Sequence, residues 1–254
     1  MKKKLPVSLI IPCYNRLRQT EELFISICNA DFECEIIVVD DCSTQNIKAM
    51  TDKFSVLKII YHRNEKNSGP SFSRNKGIEL SSNDYIAFTD NDCTVANDWL
   101  IRLHEYISNA KSKVVAVGGK VISKNKDLVS LYFTYHKILD PWYHKGQFYY
   151  VVTANAIFKK TALTEVNGFD TTIKKAGGED PGLCFKLMQK GYEFLYNPDA
   201  IIIHDYDKSI LKLYKTFFNY GFGCSLQTKK YFKMPEHIDN GNFGGIKLEQ
   251  TDVL

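Results

Sequence analysis

The 254-residue sequence has no G-x-G-x-x-G turn after its first apolar segment and no G-x-x-x-x-G-K-[ST] loop anywhere. The two commonest glycine-built phosphate cradles are therefore absent, and a nucleotide would have to be held by carboxylates and a metal instead. C-x-x-C is missing too. The cysteines, at 13, 28, 34, 42, 93, 184 and 224, are odd in number and several sit in apolar runs. That pattern argues against a disulfide framework or a zinc site and for reduced, buried thiols in a cytoplasmic protein. No apolar run approaches a bilayer span. Met1-Lys2-Lys3-Lys4 begins like a secretory leader, but Pro12, Asn15 and Arg16 end the apolar stretch after too few residues. Internal repeats and low-complexity linkers are lacking. The net charge of +4 is mild and calls for no nucleic-acid partner, although the surplus gathers at the N-terminus and after residue 207.

What is present suits a soluble enzyme. Hydrophobic residues make up 44% and charged residues 24% of the chain, enough for one large core or two small ones. The first 120 residues alternate apolar strands (7–11, 35–39, 56–61, 85–89, 114–117) with amphipathic helices (17–29, a short one after Ser43 or Thr44, one from 67 to about 80 capped by Ser68 or Ser71, and 97–109). Near-continuous apolar strands between such helices predict an α/β fold, a mostly parallel sheet covered on both faces. Further on, strands are expected at 148–152, 193–196 and 200–203, and helices at 160–166, 179–190 and 208–222.

Ligands of such sheets lie at the carboxyl ends of the strands. Asn15, Asp40-Asp41 and Asp90-Asn91-Asp92 all fall there. A single acidic pair after a strand is more often turn chemistry than a site. Three polar strand ends on one edge are harder to explain that way. Two carboxylates one residue apart beside an apolar strand are costly without a positive partner, and a divalent cation carrying phosphate oxygens is a natural one.

Five or more segments in order then resemble the family-2 glycosyltransferases of GT-A fold: Val7-Ser8-Leu9-Ile10-Ile11-Pro12-Cys13-Tyr14-Asn15, Val38-Val39-Asp40-Asp41-Cys42-Ser43, Asn67-Ser68-Gly69 with Ser73-Arg74-Asn75, Asp90-Asn91-Asp92, Asn167-Gly168-Phe169-Asp170, Gly178-Glu179-Asp180 and Ile203-His204. The resemblance covers roughly residues 5–205. It implies a single inverting GT-A domain over 1–206, with a Rossmann-like nucleotide-sugar half (1–119) and an acceptor half (120–206), followed by a C-terminal helix and tail (207–254). It also implies roles. Pro12, Tyr14, Asn15 and Asp41 would hold the nucleotide, with Asp40 the alternative to Asp41. Arg74 would position the donor or its diphosphate. Asp92 and His204 would ligate Mn2+ or Mg2+, the histidine tilting the choice somewhat to manganese. Asp90 would touch ribose, sugar or metal-bound water. Asp180 would be the general base, Glu179 would bind donor or acceptor sugar, and Asn155, in a 153–156 loop, would face the transferred sugar. The implied reaction moves a sugar from a nucleoside-diphosphate sugar, a UDP-sugar first, to a saccharide or lipid-linked glycan.

A sugar nucleotidyltransferase is the rival enzyme. It would carry a Gly-rich basic loop where Tyr14-Asn15-Arg16 stand. A non-catalytic sugar-nucleotide or glycan-binding module is the rival binder. The aromatics of 128–150 either cover the site or pack the core. Residues 208–222 place lysines beside aromatics, which suits either peripheral contact with an anionic membrane or, as preferred here, packing on the catalytic domain. The last 25 residues read as a loose tail.

Overall fold

A computed structural model describes residues 2–232 of the chain. Its first strand, β1 (Lys3–Cys13), is buried almost without a break from Val7 onward, which is why that run does not alternate. After α1 (Leu17–Asn29), β2 (Phe32–Asp40) lies parallel beside it. Helix α2 (Ile47–Thr51) follows, then β3 (Ile59–Arg63) on the outer edge, parallel to β2. Helix α3 (Pro70–Leu80) leads to β4 (Tyr85–Thr89), which returns to the other side of β1. A three-residue β5 (Cys93–Val95), α4 (Trp99–Ser108) and a long β6 (Val114–Ser123) complete the first half.

The second half inserts into that sheet. Helix α5 (Leu128–Tyr135) and the hairpin β7 (Trp142–His144) and β8 (Gln147–Tyr150) precede β9 (Asn155–Lys159). Strand β9 runs antiparallel between β4 and β6. Helices α6 (Lys160–Glu165) and α7 (Glu179–Gln189), strand β10 (Glu193–His204) and α8 (Ile210–Tyr231) follow. Among the described residues the sheet order is β3-β2-β1-β4-β9-β6-β10-β5, with β9 and β5 the two reversed strands. This is the α/β, mostly parallel GT-A architecture expected. Residues 119 and 120 lie inside β6, so the two halves share one sheet, and each of the two large core clusters draws on both.

Several local expectations are corrected. Residues 153–156 do not form a free loop: Asn155 and Ala156 open β9 at the centre of the sheet. The strands expected at 193–196 and 200–203 are one strand with a register break between Asn197 and Ile201. Helix α2 is capped by Asn46, whose side chain accepts from the Ala49 amide, not by Ser43 or Thr44. Helix α3 has no side-chain cap. It starts at Gly69-Pro70, with Gly69 at φ 90°, because Pro fits the first helical position and a Cβ on Gly69 would strike the Lys174 backbone. Helix α8 runs nine residues past the expected end, to Tyr231. The loose tail expected at the C-terminus lies almost wholly outside the described residues.

Candidate active site

The carboxyl ends of β1, β2, β4 and β10 open into a cavity of about 560 Å³. Pro12, Tyr14, Arg16, Asp41, Arg74, Asp90, Asp92, Glu179, Asp180 and His204 all line it. Two expected site residues do not. Asn15 is tied into the loop after β2: its Oδ1 accepts from the Thr44 amide and hydroxyl, both at 2.9 Å, and its own amide donates to Ser43 Oγ. Asn155 is 1% exposed. It accepts from Trp99 Nε1 at 2.7 Å and donates to the Lys120 and Ala200 carbonyls. Both asparagine oxygens are engaged within the scaffold, and neither residue is among those lining the cavity.

On the β2 side every carboxylate is satisfied. Asp40 is fully buried and accepts from the Ser43 amide, Tyr61 Oη and Arg63. Burial would raise its carboxyl, but these bonds hold it below the ordinary range. Asp40 is thereby a fixture of the sheet edge, and Asp41 the residue that faces the cavity. Asp41 accepts from Asn64 Nδ2 at 2.8 Å, the Ser68 amide at 2.9 Å and the Gly69 amide at 2.8 Å. It therefore moulds the 64–69 loop that forms one lip of the cleft.

Arg74, 4% exposed, sits where the two halves meet. One terminal nitrogen pairs with Asp90 at 2.9 Å and the other with Glu179 at 3.1 Å, while Nε has no partner. Burial opposes its charge, but Asp90, Asp180 and Glu179 together raise its affinity for the proton. Glu179 is engaged by Arg74 and by the Gly177 amide. Its neighbour Asp180 is gripped by Thr153, whose amide and hydroxyl donate to the two carboxylate oxygens at 3.0 and 2.7 Å. Burial and the adjacent Glu179 push the Asp180 carboxyl up to about 7, with Arg74 and the Thr153 bonds offsetting only part. A carboxylate poised there is suited to proton transfer near neutrality. The turn before it requires glycine: Gly178 stands at φ 89°, and a Cβ on Gly178 or Gly223 would enter the other chain segment where α8 crosses.

On the β10 side, pairing rather than sequence brings the acid and the histidine together. Strand β5 pairs antiparallel with β10 so that Cys93 faces His204, and the Asp205 amide donates to the Asp92 carbonyl at 2.8 Å. His204 Nε2 lies 3.5 Å from Asp92 Oδ1, too far for a hydrogen bond. Asp92 Oδ1 and His204 Nδ1 are both buried without a partner. Burial lowers the His204 imidazole to about 4, so it stands neutral with a lone pair available. A stack of Phe133 on Tyr206 (4.3 Å) and Tyr206 on His204 (4.2 Å) fixes the ring. A carboxylate oxygen and a neutral imidazole, both unpartnered, form a donor pair that fits a divalent cation. Cys93 lies within reach of both, but burial keeps its thiol protonated.

Sequence reasoning missed Arg16, Thr153 and Tyr206. Arg16 takes left-handed backbone, φ 61°, and its guanidinium pairs with Asp92 Oδ2. Its place beside Asn15 was the available signal. Thr153 lay in the 153–156 segment expected beside the transferred sugar, but its bonds to Asp180, like the Tyr206 stack on His204, depend on tertiary packing. Of the 128–150 aromatics, Phe133 and Tyr150 line the cleft, whereas Trp142 and Tyr149 pack on each other at 4.4 Å.

Residues 8–166 match the family model for glycosyl transferase family 2. A "Pre-mycofactocin glycosyltransferase" of Mycobacterium tuberculosis is 27% identical over 79% of this chain, which spans only 43% of that relative. Among solved structures, mannosyltransferase PcManGT from Pyrobaculum calidifontis, in complex with GDP-Man and Mn2+, superposes with a TM-score of 0.69 at 19% identity, over 91% of this chain and 66% of the other. S. aureus TarS 1-349 in complex with UDP-GlcNAc gives 0.63 at 20% identity, over 82% and 60%. The chain belongs to glycosyl transferase family 2 and has the GT-A fold.

Proposed function

We propose that this chain transfers a sugar from a nucleoside-diphosphate sugar, a UDP-sugar first, to a saccharide or lipid-linked hydroxyl, with inversion at the anomeric carbon. The observation that carries the reading is the convergence, in one cleft, of a buried carboxylate with a raised proton affinity, Asp180, and an Asp92–His204 pair in which Asp92 Oδ1 and His204 Nδ1 have no hydrogen-bond partner. PcManGT and TarS, which share the fold, were solved with GDP-Man and Mn2+ and with UDP-GlcNAc.

The nucleotide would lie along Pro12, Tyr14 and the loop shaped by Asp41. Asp92 and His204 would hold Mn2+ or Mg2+, which when bound supplies positive charge to the departing diphosphate. Arg74 pairs with both Asp90 and Glu179, which would place these two acids beside the donor sugar. Asp180, aimed by Thr153, takes the proton of the acceptor hydroxyl. The oxygen forms its bond to the anomeric carbon on the face opposite the diphosphate, and the diphosphate leaves with the electron pair of the broken bond.

The test is a sugar-nucleotide panel with manganese or magnesium, reading release of the nucleoside diphosphate. Release from one UDP-sugar is expected. UDP binding without consumption of any donor would overturn the transfer reading in favour of a binding module, and release of pyrophosphate from a nucleoside triphosphate would turn it to nucleotidyl transfer.

A further inference from the structure

Helix α8 has two faces with opposite fates. Leu213, Tyr220 and Cys224 turn inward and line the cleft, and Phe217 packs on Phe133 and Tyr132 of α5. Packing on the catalytic domain therefore accounts for half of the helix. The other half is bare: Leu211, Tyr214, Phe218 and Phe222 are 81%, 72%, 73% and 62% exposed. Their spacing of three and four residues puts them on one stripe. Four large apolar side chains in a row exceed the scattered exposure that needs no explanation. No helix among the described residues is long and apolar enough to cross a membrane, so the stripe is no part of a span.

Charge selects the partner. From Lys208 to Tyr231 the chain holds five lysines and no acidic residue. Lys212 and Lys230 pair with Asp207 and Asp170. Lys208, Lys215 and Lys229 are exposed and enter no ion pair among the described residues. Aromatic and leucine side chains flanked by unpaired lysines match the acyl boundary and headgroups of an anionic leaflet. The neighbouring α5 leaves Leu128, Leu131 and Tyr135 exposed as well.

We propose that the outer face of α8 docks this protein on an anionic lipid bilayer, with the cleft opening beside the lipid surface because the same helix forms its wall. This goes beyond the transfer reading and does not depend on it, since docking is measured without turnover.

The experiment is flotation of the full chain with vesicles of phosphatidylcholine alone and with about 30% phosphatidylglycerol added. Flotation with the anionic vesicles only is expected, weakened by about 0.5 M salt. Phe218→Ser/Phe222→Ser should lower partitioning at least about tenfold, and Lys208→Gln, Lys215→Gln and Lys229→Gln roughly fivefold each. All five side chains are exposed, so a thermal midpoint within about 2 °C of the parent certifies the fold of each variant. No flotation, equal flotation with neutral vesicles, or flotation untouched by the variants overturns the proposal. So does a dimer in sedimentation velocity that Phe218→Ser/Phe222→Ser dissolves, which would assign the stripe to a second copy.

Discussion

Asp41 and Asp92 each follow a buried strand and are 4% and 6% exposed, yet their surroundings are finished differently. Asp41 receives three hydrogen bonds from its own chain. Asp92 has one oxygen against Arg16 and the other without a hydrogen bond, 3.5 Å from Nε2 of His204, whose Nδ1 is also unpartnered. Buried polar atoms left without partners cost the folded state, so one wall of the cleft is built for its own stability and the other for something that arrives. Removing an acid from the Asp41 wall should therefore cost stability first. Removing one from the Asp92–Asp180 wall should cost activity and leave stability equal or higher.

The largest effect expected is on the metal pair. Chelation should abolish turnover, and Asp92→Ala should not regain it at any manganese concentration, while its thermal midpoint stays near the parent's. Full activity in excess chelator would remove the metal from the reading. Next comes Asp180→Asn. A positioned general base is worth about 10²–10⁴ in rate, so turnover should fall by that range with calorimetric donor affinity unchanged. The raised carboxyl gives this variant a second signature. Its folded-state value, about 7, lies above the ordinary 3.8, so the folded form holds its proton more tightly than the unfolded chain. The associated stability is present in acid and is lost as pH rises through 7. Asp180→Asn should melt higher than the parent at about pH 8, by a smaller margin at about pH 5, the two drawing level only near the ordinary carboxyl value of 3.8. In the parent, kcat/KM should fall as pH drops below about 7, where the base is protonated. A variant that keeps its rate, or melts lower in alkali, would sink the assignment.

Asp41→Ala is the matching test of the other wall. It strands the Ser68 and Gly69 amides and leaves Asn64 Nδ2 with only its bond to Ser73 Oγ, at a cost of about 2–4 kcal/mol, or roughly 5–10 °C in thermal midpoint for a domain of this size. Nucleotide affinity should fall with the loop. A stable variant whose affinity alone is lost would mean that Asp41 touches the nucleotide directly and that the two walls are less different than their hydrogen bonds indicate.

Much of this was legible in the residues because strands buried on both faces announce themselves as apolar runs. Tyr85–Thr89 and Leu17–Asn29 have the bounds their patterns predict. Asp41, Asp90, Asp92, Asp180 and His204 line the same cleft, as expected of groups at strand ends and helix starts. Pairing was not legible. Asn155 looks like a loop asparagine in sequence. Only the insertion of β9 between β4 and β6 turns its side chain to Trp99 Nε1 and the Ala200 carbonyl. The three-residue β5 is too short to carry a period, yet its register against β10 sets the distance from Asp92 to His204. Asn15 deceived for a third reason: its strand-end position is right, but its amide is used to bind one loop to the next.

Arg16 gives the smallest effect and the finest test of the contrast between the walls. Its guanidinium occupies Asp92 Oδ2, so a metal ion reaching Asp92 competes with it. Its side chain is 46% exposed, and solvent and salt weaken such a pair. Removing it should relieve the competition by a factor of a few, so Arg16→Ala should reach half-saturation at a lower manganese concentration in a calorimetric titration without nucleotide. The same change removes a positive charge from the cleft wall. At saturating manganese the KM for the donor should therefore rise by a factor of a few while kcat changes less, since Asp180 and Thr153 are untouched. The two opposite shifts distinguish a counter-ion that yields to the metal from a plain structural pair, whose loss would weaken manganese and donor binding together.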